Sequence, residues 1–237
     1  MQKNNMSMEI EKELQKKADP KRAKASQWFF KTGPGEYGEG DTFIGITVPE
    51  QRKTAHKFLH LTLPDIQKLL KSFVHEYRFT ALEILVAQYE KAKDEAIRKK
   101  IYDFYLKNIK YINNWDLVDT SAPYIVGHYC FHHNTDILVT LAQSKNIWER
   151  RIAIIATAYF IKQGKYIHTL KIAKILLNDS HDLIHKAVGW MLREVGNKSV
   201  ETEEKFLKQY YKKMPRTMLR YAIEKFPKEV RAMYLAK

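Results

Sequence analysis

The 237-residue sequence contains a single cysteine, Cys130. An internal disulfide and a multi-cysteine zinc site are therefore both excluded, and Cys130 reads as a small buried side chain. No apolar run approaches the roughly 20 residues that a membrane-spanning helix needs. Met1 to Asn5 leads straight into a charged helical segment and lacks the apolar core of a signal peptide. A reducing, cytoplasmic address without a membrane is expected. The nine histidines show no metal-ligand spacing. His132 and His133 are adjacent, and neighbours on a helix point about 100° apart, which suits joint ligation poorly. There is no Gly-x-Ser-x-Gly elbow and no supported Cys–His arrangement. Neither a metal nor an organic cofactor is expected. Strand patterns are missing as well. The only glycine-rich stretch, residues 32–42 with Gly33, Gly35, Gly38 and Gly40, is a loop. It cannot be a phosphate-binding loop, because no strand precedes it and no Gly-Lys-Ser/Thr closes it.

What the chain has in excess is positive charge. Lys and Arg number 41 against 27 Asp and Glu, a formal net charge of +14. Such an imbalance concentrates polyanions around a protein, and nucleic acid is the commonest of them. Hydrophobic residues make up 45% and charged residues 29% of the chain, the balance of a folded protein rather than a disordered one. At this length one domain, or one continuous array of repeats over 1–237, can bury a substantial core.

Two N-terminal helices are predicted within residues 8–31, the second opened by Asp19-Pro20 as cap and proline start and reaching Trp28-Phe29-Phe30. Thr47-Val48-Pro49 has the look of another helix start. Helical patterns then follow at about 49–60, 64–74, 76–91, 95–109, 115–129, 134–143, 147–163, 166–177, 181–195, 200–212, 215–225 and 227–235, so the fold is expected to be all-α. Small residues at Ala81, Ser121, Ala153, Ala187 and Ala222 recur every 32 to 40 residues. That is the period of paired-helix repeats of the HEAT or armadillo kind, which stack into a curved solenoid with one concave face. A plain helical bundle is the alternative.

Three stretches carry candidate chemistry. In Asn113-Asn114-Trp115-Asp116-Leu117-Val118-Asp119, Trp115 and Asp119 stand one turn apart on one helix face. Asp116 falls in the first turn, where the helix dipole favours a carboxylate. Asp119 lies a turn further in, beside the apolar run from Ala122 to Val126, and has no obvious local partner. In Trp148-Glu149-Arg150-Arg151, Arg151 opens a helix that is apolar almost all round. It calls either for a phosphate or for a carboxylate that pairs it between repeats. In the third stretch Ile184, Ala187, Val188, Met191, Leu192 and Val195 form a complete buried stripe that leaves out Trp190. Lys186 and Arg193 flank Trp190 by one turn to either side. Trp190 is either a ring presented to an anionic, stackable ligand or a ring buried against a neighbouring helix. Arg216 and Arg220 add further positive charge towards the C-terminus.

The blocks Asn114 to Asp119, Trp148 to Ala153 and Lys186 to Glu194 resemble, in order and spacing, the signature blocks of the DNA alkylation repair family, the AlkD-like DNA glycosylases. The stretches Gly45 to Arg52 and Arg216 to Glu224 extend the resemblance over most of the chain. The resemblance implies a HEAT-like solenoid whose concave face holds duplex DNA. It also implies a monomer in base excision repair that removes N3- and N7-alkylated purines without a deep base-flipping pocket. By the family pattern Asp119 matches the catalytic carboxylate, Trp115 and Trp190 the aromatics flanking the lesion's deoxyribose, and Arg151 the active-site arginine near the DNA backbone. Lys186, Arg193, Trp148, Arg150, Arg216, Arg220, Trp28 and Phe29 are the expected DNA contacts. The aromatic that the N-terminal helix contributes is either Trp28 or Phe29, and the glycine-rich insert is longer than the family pattern.

The residues agree with that chemistry. A cationic alkylpurine departs as a neutral base without a general acid, so the enzyme must stabilise the oxocarbenium character growing on the sugar. A fixed carboxylate does so electrostatically and can orient the attacking water. No lysine is placed as a Schiff-base nucleophile, which predicts a monofunctional glycosylase without lyase action. A noncatalytic basic nucleic-acid-binding solenoid and a HEAT scaffold for an acidic protein are the competing readings.

Overall fold

The computed structural model describes residues 6–236. Among them no strand forms, and the single β-bridge joins Thr42 to Val74. The all-α expectation holds. No helix is long and apolar enough to cross a membrane among the described residues. The chain divides into two compact units, Met1–Ser121 and Ala122–Lys237.

The first unit contains α1 (Met6–Gln15), α2 (Pro20–Phe29), α3 (Val48–Lys57), α4 (Leu63–Leu70), α5 (His75–Lys91), α6 (Glu95–Lys107) and α7 (Trp115–Ser121). Asp19 caps α2 as its sequence suggests, accepting hydrogen bonds from the backbone N–H groups of Lys21 and Arg22 at 2.9 and 3.1 Å. Thr47 takes the cap position of α3 without a side-chain bond, so Pro49 alone marks that start. The hub is α5, which packs on α3, α4 and α7 and is buried nearly all round. Its residues Leu82, Ile84 and Leu85 are fully enclosed, and so are the polar residues of its first turns.

The second unit opens with a wide turn at Pro123–Gly127 and continues through α8 (His128–His132), α9 (Asp136–Ala142), α10 (Ile147–Ile155), α11 (Thr157–Lys162), α12 (Ile167–Ile175), α13 (Asp182–Lys198), α14 (Val200–Tyr210), α15 (Arg216–Ala222) and α16 (Lys228–Leu235). Two helices expected to be continuous are interrupted. Pro123 has no N–H to give to the helical ladder, and the register widens so that the Gly127 N–H reaches the Ala122 carbonyl at 2.8 Å. The pattern at 147–163 breaks after Ile155, and at the break the Thr157 hydroxyl donates to the Ile154 carbonyl at 2.6 Å. The expected stripe on α13 is buried in full, from Ile184 to Val195. All five small residues of the repeat pattern, Ala81, Ser121, Ala153, Ala187 and Ala222, are fully buried too, which makes them close-packing positions.

On the α13–α14 contact lies a buried carboxyl with one unsatisfied oxygen among the described residues. Glu203 is 1% exposed, sits against Gly196, and its Oε1 has no hydrogen-bond partner among the described residues. Burial pushes its pKa up to about 8, with Glu204 adding to the rise and Arg193 opposing it. A carboxyl whose folded pKa exceeds its unfolded value favours folding most when protonated. Its contribution therefore falls as pH rises from the ordinary carboxylate range through about 8. Urea denaturation at pH 5.5 and pH 8.5 is expected to show lower stability at the higher pH. In Glu203→Gln that difference should shrink; an unchanged difference would exclude Glu203 as its source.

Candidate functional site

In the first unit, Trp115 and Asp119 lie one turn apart on α7 as the spacing predicts, and both are partly exposed. The ring that stacks on Trp115 is Phe30, just beyond the end of α2, with centroids 5.4 Å apart and planes 16° from parallel. Phe29 meets the same indole edge-on at 6.0 Å. Trp28 is 84% exposed and makes no ring contact with Trp115. The parallel partner of Trp115 is thus neither Trp28 nor Phe29, the two aromatics of the N-terminal helix expected to meet DNA. Phe30 supplies the parallel face, because the helix ends at Phe29 and the chain turns there. Lys31 then takes φ 51°, and the glycine-rich loop returns over the turn. Gly38 permits that return, since its N–H donates to the Lys31 carbonyl at 3.0 Å and a Cβ there would lie 2.4 Å from the Phe30 carbonyl oxygen.

The same loop delivers Asp41 to a buried charge cluster that the sequence did not reveal. His75 opens α5 and is 2% exposed. Its Nδ1 lies 3.1 Å from Asp41 Oδ2, and its Nε2 lies 2.8 Å from Asp116 Oδ2. Arg78, one turn along α5, donates from Nη2 to the same Asp41 oxygen at 2.6 Å. Desolvation alone would lower the pKa of His75, but the Asp116 charge and the hydrogen bonds to Asp116 and Asp41 outweigh it and raise the value to about 9. Burial pushes Asp41 towards protonation. Hydrogen bonds and charges from His75 and Arg78 overcome this and hold it below its ordinary value. The cluster is therefore an imidazolium and a guanidinium facing two carboxylates. Asp116, read from sequence as a first-turn carboxylate, does accept the Leu117 N–H at 2.9 Å, but its second oxygen belongs to His75. Beside it, Glu76 accepts backbone N–H bonds from Ile44, Gly45 and Ile46, the shortest 2.7 Å, and fastens the segment after the loop to α5.

In the second unit, Trp190 is half-buried, between the two expectations for it, and its Nε1–H donates to Glu194 Oε1 at 3.1 Å. Its neighbour Gly189 lets α13 press against α15, for a Cβ there would lie 2.4 Å from the Met218 carbonyl oxygen and 2.5 Å from Tyr221 Cβ. The flanking cations both have carboxylate partners. Lys186 Nζ lies 2.7 Å from Asp182, and Arg193 pairs with Glu224 on the turn after α15. Arg151 is 5% exposed and donates to the Leu183 carbonyl at 2.7 Å, tying α10 to the start of α13. Arg216 and Arg220 are exposed, and Arg216 reaches the Leu235 carbonyl at 3.0 Å.

Two expected DNA contacts are better explained by packing. Trp148 is 7% exposed and belongs to the core. Arg150 donates to Asp179 at 2.6 Å and to the Ser144 and Lys145 carbonyls at 3.0 and 2.9 Å, so its guanidinium is already engaged. Nothing in the local sequence distinguished these two from their neighbours, since Asp179 comes from 29 residues away. No group of three or more His, Cys, Asp or Glu residues could hold a metal among the described residues.

Sequence and fold comparisons point the same way. The profile of the DNA alkylation repair enzyme family matches residues 10–226. A solved structure of a predicted DNA alkylation repair enzyme from Enterococcus faecalis shares the fold, with a TM-score of 0.70 at 18% identity over 90% of this chain and 98% of that one. No curated protein matches the sequence.

The buried cluster makes a stability prediction. Asp41→Asn leaves the two cations facing the single charge of Asp116, and it is expected to cost about 3–5 kcal/mol in urea denaturation. Asp103→Asn, which breaks the exposed pair with Lys99, should cost under about 1 kcal/mol. Equal costs would show that the Asp41 cluster is not a buried ionic support.

Proposed function

The chain belongs to the DNA alkylation repair enzyme family, and we propose that it is a monofunctional DNA glycosylase that hydrolyses the N-glycosidic bond of cationic N3- and N7-alkylated purines in duplex DNA. The observation that carries this reading is the pairing on α7 of a braced, partly exposed Trp115 with Asp119 one turn away. In this reading the Asp119 carboxylate faces the positive charge growing at C1′ of the sugar as the bond lengthens, and it orients the attacking water. Trp115 and Trp190 offer ring faces to the cationic nucleoside, worth about 0.5–2 kcal/mol each depending on desolvation. Arg151 is proposed to serve the DNA backbone beside the lesion, which requires its buried guanidinium to give up the Leu183 carbonyl. The base leaves neutral, so the chemistry calls for neither a general acid nor a metal nor an organic cofactor.

The net charge of +14 supports a polyanionic partner. Lys186, Arg193, Arg216, Arg220, Trp28 and Phe29 are the side chains proposed to meet the duplex. Trp148 and Arg150 are omitted, because one is enclosed and the other engaged. The carboxylates paired with Lys186 and Arg193 must yield for those cations to reach phosphates, and salt bridges at partly exposed positions are weak enough to do so.

The test is base release from a duplex carrying one N7-methylguanine, under single-turnover conditions and at matched occupancy. Wild type is expected to release free base, and Asp119→Asn to do so about a hundredfold more slowly. Steep salt-dependent binding with no release from this or an N3-methyladenine duplex would overturn the glycosylase reading and leave a protein that only holds DNA.

A further inference from the structure

The buried imidazole of His75 touches the environment of Trp115 by two separate routes. Through its edge it binds Asp116, the residue that follows Trp115 on α7, at 2.8 Å. Through its face it meets Phe30 at 4.9 Å and Phe43 at 4.6 Å, and those two rings stack on each other at 5.0 Å. Phe30 in turn stacks on the Trp115 indole. The first route fixes the start of α7, where the Trp115 N–H also donates to Asn114 Oδ1 at 2.8 Å, and so fixes the direction of the Cα–Cβ bond. The second fixes the plane of the ring about that bond. The indole's own two torsions are restrained by the Phe30 stack, and the backbone that carries it by the Asp116 bond, so both restraints lead back to one side chain.

We propose that His75 is a positioning residue for Trp115, holding the indole in one orientation through Asp116 and through the Phe30 stack. The catalytic consequence rests on the glycosylase reading above; the positioning itself does not. The imidazole end of the tie is shut off from solvent, because His75 is 2% exposed. The charged groups facing His75 are Asp41 on the loop, Asp116 on α7 and Arg78 on α5, whose Nη2 lies 3.4 Å from Nδ1. Loss of the imidazole proton would remove half the positive charge that balances the two carboxylates and so change the charge that Asp116 and the Phe30 stack meet.

Two measurements test this. In protein labelled with 5-fluorotryptophan, the Trp115 fluorine resonance, assigned through Trp115→Phe, is expected to shift with a midpoint near pH 9 in wild type. The midpoint should move to lower pH in Asp116→Asn, while the resonance of exposed Trp28 stays flat. In base release, Phe30→Leu keeps apolar bulk but loses the stacking plane. It is expected to slow release about tenfold with duplex affinity unchanged, and Phe30→Tyr should restore the rate. A Trp115 resonance flat from pH 6.5 to 10.5, or a Phe30→Leu rate equal to wild type, would overturn the proposal. If wild type releases no base, the glycosylase reading fails while the fluorine titration still decides the positioning.

Discussion

Four linked charges at the start of α5, three of them buried, govern the first unit. Asp41, His75, Arg78 and Asp116 come from three segments of chain, and each would be costly to bury alone. Together they are neutral only with His75 protonated, so the requirement to satisfy them fixes where the glycine-rich loop returns, where α5 begins and where α7 begins. The aromatic stack of Phe43, Phe30 and Trp115 lies against that cluster. The candidate site on α7 is therefore held by a polar arrangement from beneath, while its ring and the Asp119 carboxylate stay partly exposed.

The second unit solves a different problem with apolar packing. Gly189 and the stripe from Ile184 to Val195 let α13 sit tightly among its neighbours, and Trp190 emerges half-buried from that close contact. The cations around it are matched by Asp182 and Glu224. A large net positive charge is thus compatible with near-neutral local pairing around the ring, which keeps the candidate surface from being a featureless basic patch.

Much of this was legible from residue order. The spacing of Trp115 and Asp119 required only that 115–121 be helical, and helical periodicity is a local property. The α13 stripe followed from the same rule, and the start of α2 from the equally local cap and proline of Asp19-Pro20. The two misjudged helices break at Pro123 and after Ile155, and a periodic apolar pattern registers neither break. Trp148 and Arg150 were expected to meet DNA, and a one-turn window shows neither the core that encloses the ring nor the Asp179 that engages the guanidinium.

The sequence by itself determined the helical class, the positive charge and the family, because each is a sum over residues or a pattern along the chain. Only the tertiary structure decided that Phe30, and not Trp28 or Phe29, stacks on Trp115, that Asp41 and Asp116 share one imidazole, and that Glu203 is buried with Oε1 unsatisfied among the described residues. The His75 contacts span 34 and 41 residues of chain. No propensity or spacing links residues so far apart; the cost of burying a charge without a partner does.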